Sequence, residues 1–190
     1  MSRESDTFRT PVQRIPLRCI PEGGLVLDIG GGGEGLVSRL EGKRVCAVDI
    51  LLNKIRETRI YGVKSQWIQS DARTLGIRDG AVDIVTCWFS LSYLPERDSK
   101  HKVLMESHRA LKRNGLLSIM GMNILENTVK YVLDAELVLP DDYISKMGYA
   151  VSGSQEQTID SLIDLGQDVG FDLELASDHE YWFELTMRKP

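Results

Sequence analysis

The sequence predicts an α/β fold, a mostly parallel sheet built from β-α-β units, and three observations predict it. A short apolar run, Leu25, Val26, Leu27 and Ile29, is interrupted by an acid and ends in glycines. Short apolar runs then alternate with segments of helical spacing, and two runs of apolar/polar alternation close the chain. The first pattern is a buried strand feeding a tight loop, the second a series of β-α units, and the third a pair of half-buried strands.

In chain order, residues 1–24 begin polar and carry Pro11, Pro16 and Pro21, which oppose a continuous helix and indicate a leader or lid packed on the sheet. Residues 25–190 read as a single domain. Its first strand runs into Gly30, Gly31, Gly32, Gly33, Glu34 and Gly35. Leu36, Val37 and Leu40 have helical spacing, with Gly42 as a stop. Residues 45–48 make a second strand, followed at once by Asp49 and by a helix marked by Leu51, Leu52 and Ile55. Trp67 and Ile68 form a third strand ending at Ser70 and Asp71, and residues 82–88 a fourth. Val103, Leu104 and Leu111 fit a helix before Asn114 and Gly115, and residues 116–120 form a fifth strand. Ser154 and Gln157 have capping-box spacing ahead of a helix with Ile159, Leu162, Ile163 and Val169 on one face and Gly170 as its stop. Phe171, Leu173 and Leu175, then Tyr181, Phe183, Leu185 and Met187, form the closing pair, read as antiparallel. Residues 124–153 break the rhythm and read as an insertion covering a substrate pocket.

A chain of 190 residues, 42% hydrophobic, supports one sizeable core. A formal charge of −5 gives no general attraction for nucleic acid or an anionic membrane. Cys19, Cys46 and Cys87 are odd in number and widely spaced, as ordinary reduced cysteines are, and no clustered ligands suggest a metal. The amino terminus has no apolar signal segment and no run approaches a membrane span, so a cytoplasmic protein is expected. Oligomeric state leaves no mark in the sequence.

Gly30, Gly32 and Gly35 satisfy a G-x-G-x-x-G spacing that serves dinucleotides equally well, so the glycines alone leave the cofactor open. Asp28 narrows the choice. A carboxylate two residues before the first glycine, at the carboxyl end of the strand, would repel a pyrophosphate and favour a cationic ligand. S-adenosylmethionine carries a sulfonium and an ammonium. Capping of the glycine loop is the competing role for Asp28, and the two are compatible.

Taken together, the glycine loop after Asp28, the acid-ended second strand at Asp49, Ser70-Asp71-Ala72, the fourth strand with its loop to Leu94, and the lead-in to the fifth strand at residues 111–117 resemble a class I S-adenosylmethionine-dependent methyltransferase over residues 25–188. The resemblance implies a Rossmann-like three-layer sandwich with a seven-stranded, mostly parallel sheet whose last strand is antiparallel. It places Asp28, Gly30, Gly31 and Gly32 around the cofactor, Asp49 on the ribose hydroxyls, Ile50 on the adenine face, Asp71 on the adenine amino group, the Ala72 N–H on the ring, and the Trp88 carbonyl near the ammonium. One slot departs from the family loop: Glu34 stands where a third glycine is usual, and it reads as the head of the following helix.

Phe89, Tyr93 and Asn123 lie where they would line an acceptor pocket, with core packing as the alternative for Phe89 and sheet-edge packing for Tyr131, Tyr143 and Tyr149. Methyl transfer needs no obligatory base, and His101, His108 and His179 read as surface residues. The stretch Cys87-Trp88-Phe89-Ser90 lacks the Asn/Asp-Pro-Pro-aromatic signature of enzymes that methylate amino groups of bases or glutamine. A small-molecule acceptor is therefore expected, with no nucleic acid or membrane partner. A noncatalytic S-adenosylmethionine-binding partner protein shares every motif, whereas a nicotinamide-dependent oxidoreductase is opposed by Asp28, Asp71 and the closing strand pair.

Overall fold

Two sheets organise the chain in the computed structural model, which describes residues 7–18, 20–60, 64–94, 96–125, 128–152 and 156–190. The elements are β1 (Thr7–Arg9), β2 (Gln13–Pro16), β3 (Val26–Ile29), α1 (Leu36–Glu41), β4 (Val45–Asp49), α2 (Leu52–Ile60), β5 (Gln66–Gln69), β6 (Val82–Trp88), α3 (Arg97–Ala110), β7 (Leu111–Met122), β8 (Lys130–Val138), β9 (Ile144–Ser152), α4 (Ile159–Val169), β10 (Asp172–Asp178) and β11 (Trp182–Arg188).

The larger sheet has seven strands in the order β10-β11-β7-β6-β3-β4-β5. The run from β5 to β7 is parallel, and β11 is antiparallel to both of its neighbours. This is the mostly parallel sheet with an antiparallel last strand that the resemblance implies. Central parallel strands are covered on both faces, which is why all four residues of β3 are buried and why β6 reads as a nearly continuous apolar run.

On one face, Val103 and Leu104 of α3 and Leu162 and Leu165 of α4 pack on Leu27, Val85, Leu117 and Phe183. Gly166 lets α4 come close to β11, because a Cβ there would collide with the Met187 sulfur. The α4 cap is Thr158, four residues after the predicted cap Ser154. Thr158 Oγ1 accepts from the Ser161 N–H (3.2 Å) and the Ser161 hydroxyl oxygen accepts from the Thr158 N–H (3.0 Å). Ser154 and Cys19 lie outside the described residues. Gln157 is fully buried and donates to Ser92 Oγ (2.7 Å) and the Met122 carbonyl (3.0 Å). Gly170, at φ 103°, ends the helix as expected.

Two other readings change. Leu111 opens β7 with extended backbone because pairing with Val82 of β6 begins there, so it is not part of the helix. β10 is more exposed than its alternation suggests, with Leu173 38% and Leu175 41% exposed. It is the edge strand, and its register against β11 shifts between those two residues.

The smaller sheet has four strands centred on β8. β9 pairs antiparallel along one edge, while β1 and β2 both pair parallel with β8, at Thr7–Arg9 and Gln13–Pro16 respectively. The leader and the insertion, read separately in the sequence, are thus one layer. Tyr131, Leu133, Ala135 and Leu137 alternate along β8 and are buried together with Ile15, Leu17 and Tyr149 against Met120, Met122 and Trp182. Met120 and Met122 lie on the face of β7 opposite Leu117 and Ile119, so the small sheet covers the side away from α3 and α4. Beside it, Val37 of α1 packs on Val26, Ala47 and Ile84. Among the described residues, no helix is long and apolar enough to cross a membrane.

Candidate functional site

The carboxyl ends of β3, β4, β5 and β6 bring the singled-out residues to one edge of the larger sheet, the edge at which open α/β sheets bind ligands. The glycine loop is tied down by its own N–H groups. Gly30 and Gly31 donate to the Val48 carbonyl (2.8 and 3.2 Å), Gly32 to Asp49 Oδ2 (3.1 Å) and Gly33 to the Lys54 carbonyl (3.0 Å). Asp49 Oδ1 accepts from the Leu51 N–H (2.8 Å), so this one carboxylate joins the loop to the start of α2. A Cβ on Gly30 would collide with Ser90, on Gly31 with the Asp28 carboxylate, and on Gly32 with the Asp49 carboxylate. The loop is therefore a cradle of bare backbone with carboxylates directly beside it.

Asp28 is 3% exposed and lies beneath Gly31, accepting a hydrogen bond from the Thr86 hydroxyl (2.7 Å). Burial pushes its carboxyl up to about 7; the Thr86 bond opposes the rise and the Asp49 charge adds to it. The Gly30 and Gly31 N–H groups are taken by Val48, so capping of the loop falls to that carbonyl and to Asp49. From this position Asp28 reaches the loop surface only through the Gly31 backbone.

On the far side of β4, Ile50 is 56% exposed. Asp71 takes the turn role: its Oδ1 accepts from the Arg73 N–H (2.9 Å) and the Arg73 guanidinium bonds both carboxylate oxygens (2.6 to 3.1 Å). These bonds hold the Asp71 carboxyl below the usual carboxylate range. Ala72 packs against the edge of the main core.

At the end of β6 the Trp88 indole donates to Ser118 Oγ (3.1 Å). Phe89, at φ 59°, turns its ring into the core between the sheets, where it is 1% exposed and stacks on Tyr149 at 4.5 Å. Core packing is thus what its ring does here. Tyr93 is half exposed and lies beside the backbone of Ala150. Asn123 donates to Asp178 Oδ1 (2.7 Å) and the Glu180 carbonyl (3.1 Å), fastening the end of β7 to the β10–β11 turn. Tyr131 donates to the Tyr181 carbonyl, His108 meets Phe171 edge-on, and His179 stacks on Trp182. Burial raises the Cys87 thiol far above its ordinary value, which removes it as a nucleophile. Among the described residues, no group of three or more His, Cys, Asp or Glu is arranged to hold a metal ion.

Two features escaped the sequence reading. Glu34 does not head α1: Gly35 occupies the N-cap with left-handed backbone, and the Glu34 carboxylate accepts instead from the Ser145 hydroxyl of β9. With Arg39 of α1 lying 4.3 Å over the Tyr143 ring, and with the Phe89–Tyr149 and Tyr93–Ala150 contacts after β6, β9 and its hairpin turn are fastened at four points, one of them on the glycine loop. The second feature is Thr58 of α2, whose hydroxyl donates to the Gly33 carbonyl (2.7 Å). A glutamate among glycines was a visible anomaly; a threonine on the next helix was not.

Residues 27–119 match the family model described as a methyltransferase domain. Among solved structures, a S-adenosylmethionine-dependent methyltransferase from Methanosarcina mazei is 17% identical, with 90% of this chain and 94% of that one covered and a TM-score of 0.67. One from Mesorhizobium loti is 12% identical, with 89% and 93% covered and a TM-score of 0.66. The [4+2]-cyclase SpnF is 17% identical, with 88% and 76% covered and a TM-score of 0.64. At these identities the likeness is one of fold. No curated protein matches.

Proposed function

We propose that the class I S-adenosylmethionine-dependent methyltransferase domain carried by this chain binds S-adenosylmethionine over its glycine loop and transfers the methyl group to a small-molecule acceptor. The observation that carries the reading is the cradle itself, bare backbone at Gly30, Gly31 and Gly32 with the Asp49 carboxylate at its rim. The chain's residues fit that cofactor. Each Asp49 oxygen accepts one backbone N–H and keeps a second acceptor site for a ribose hydroxyl. Ile50 offers an exposed apolar surface to the adenine, Asp71 and Ala72 flank it, and Trp88 presents its carbonyl beside β3 for the ammonium. A positive charge above Gly31 would favour the ionised form of Asp28, whose carboxyl burial otherwise raises to about 7.

When bound, the cofactor supplies an electrophilic methyl group on a sulfonium. The protein's part is to hold donor and acceptor in line and to exclude water, which the sheet fastened to the loop supports. Calorimetric titration with S-adenosylmethionine, S-adenosylhomocysteine and a nicotinamide dinucleotide tests the reading. Micromolar binding of the first two and none of the third supports it, whereas binding of the dinucleotide alone overturns it.

A second reading, cofactor binding without methyl transfer, is favoured by one observation. Two of the three residues assigned to the acceptor pocket, Phe89 and Asn123, are engaged in packing and in a latch. The solved [4+2]-cyclase of similar fold shows why fold cannot choose between them. Incubation with labelled S-adenosylmethionine and a broad metabolite pool decides: label in a product supports transfer, and binding without label in any compound supports the second reading.

A further inference from the structure

Thr58 is fully buried on α2, one helical turn beyond Lys54. Its hydroxyl lies 2.7 Å from the Gly33 carbonyl and 3.1 Å from the Lys54 carbonyl, and its single proton serves the nearer acceptor. The Gly33 N–H returns to the Lys54 carbonyl at 3.0 Å, so both polar groups of Gly33 are held by the same face of α2. The Thr58 methyl lies against Gly35, where a Cβ would collide with it, and Gly35 is itself at φ 61°. Hydroxyl and methyl thus hold two separate points of the loop, on either side of Glu34. That leaves the Glu34 side chain free of the loop and available to β9.

We propose that Thr58 is a positioning residue for the cofactor: it clamps Gly33 and Gly35 to α2 and so sets the loop at the height over Asp49 that the ligand requires. The inference rests on the cofactor reading above. Holding the loop this way transfers to a helix side chain a job that loop glycines perform through their own conformation. It explains why glycine can sit at 35 with glutamate at 34. It also sets a limit on Gly35, since any larger residue there would displace the Thr58 methyl and with it the clamp.

The test is calorimetric titration of S-adenosylhomocysteine into four proteins, with thermal midpoints recorded for each: the wild type, Thr58→Val, Thr58→Ser and Ile55→Val. Valine keeps the shape and removes the donor, so affinity should fall roughly three- to tenfold, the range set by losing one neutral hydrogen bond. Serine keeps the donor at Gly33 but loses the methyl against Gly35, so its affinity should lie between those of the wild type and Thr58→Val. Ile55, buried on the same helix, is the control: Ile55→Val lowers the midpoint through lost packing and should leave affinity unchanged. Wild-type affinity in Thr58→Val, or an equal loss in Ile55→Val, overturns the positioning role while the cofactor reading stands. Failure of the wild type to bind overturns both, and is separated from the first case by that measurement alone.

Discussion

Asp49 and Asp28 show how differently two acids of one motif are used. Asp49 is partly exposed and bonded to two backbone N–H groups, so under the proposed reading it is the acid that meets the cofactor directly. Hydrogen bonds to a charged acceptor contribute about 1.5 to 3 kcal/mol, and Asp49→Ala should therefore weaken S-adenosylmethionine binding roughly ten- to one-hundredfold by calorimetry; a change below about twofold would remove Asp49 from the site. Asp28 makes its mark in stability. Its carboxyl keeps its proton up to about pH 7 in the folded chain and loses it near 3.8 when unfolded. The folded state therefore binds the proton more tightly, and the contribution of Asp28 is full below about pH 4, falls as pH rises to 7 and is flat above. Urea denaturation at several pH values should show this decline as a difference between wild type and Asp28→Asn; parallel curves would contradict it. The positions of these acids were legible from their places at strand ends. Thr58 was not, because its effect runs through a loop 25 positions earlier in the chain, and no local pattern reports a clamp.

At the scale of elements, local signals succeeded wherever a strand or helix is stabilised by its own neighbours. β3, β4 and β6 follow their apolar runs, and α4 follows its apolar face and glycine stop. The small sheet was missed for the opposite reason. Phe8 pairs with Tyr131 and Ile15 with Leu137, and nothing near either partner announces the other, although the alternation along β8 was present to be read. Two elements give clear tests. Thr158→Ala removes the α4 cap and should cost about 0.5 to 2 kcal/mol in chemical denaturation without altering cofactor affinity. Glu34→Ala cuts one of the four fastenings of β9 and its turn. Amide hydrogen exchange should then quicken in residues 144–152 and stay unchanged in β3 and β6, where the backbone pairing is untouched.

For the molecule as a whole, the leader belongs to the core. Ile15 has no exposed surface and packs with Leu17 among the residues of β8, β7 and β11. Ile15→Ala should therefore cost about 2 to 5 kcal/mol, as for any large-to-small change in a filled interior. A cost below about 1 kcal/mol would mean that the leader is only draped over the fold. The three layers also account for what the sequence could and could not say about function. The glycine loop and its acids sit on the larger sheet, whose local patterns are strong. The smaller sheet, by contrast, is built from strands that come from distant parts of the chain.

The parallel pairing of β1 and β2 with β8 also has a consequence in time. Arg9 bonds Asp134 across 125 positions, so on the ribosome the leader emerges long before its partner strand exists. At about 5 to 20 residues per second, that gap is on the order of ten seconds. During it, the Ile15 and Leu17 side chains have no interior to enter. The nascent chain must carry an unpaired apolar segment until residue 138 has cleared the exit tunnel, and the interior that Ile15 and Leu17 enter is complete only when Trp182 of β11 has followed.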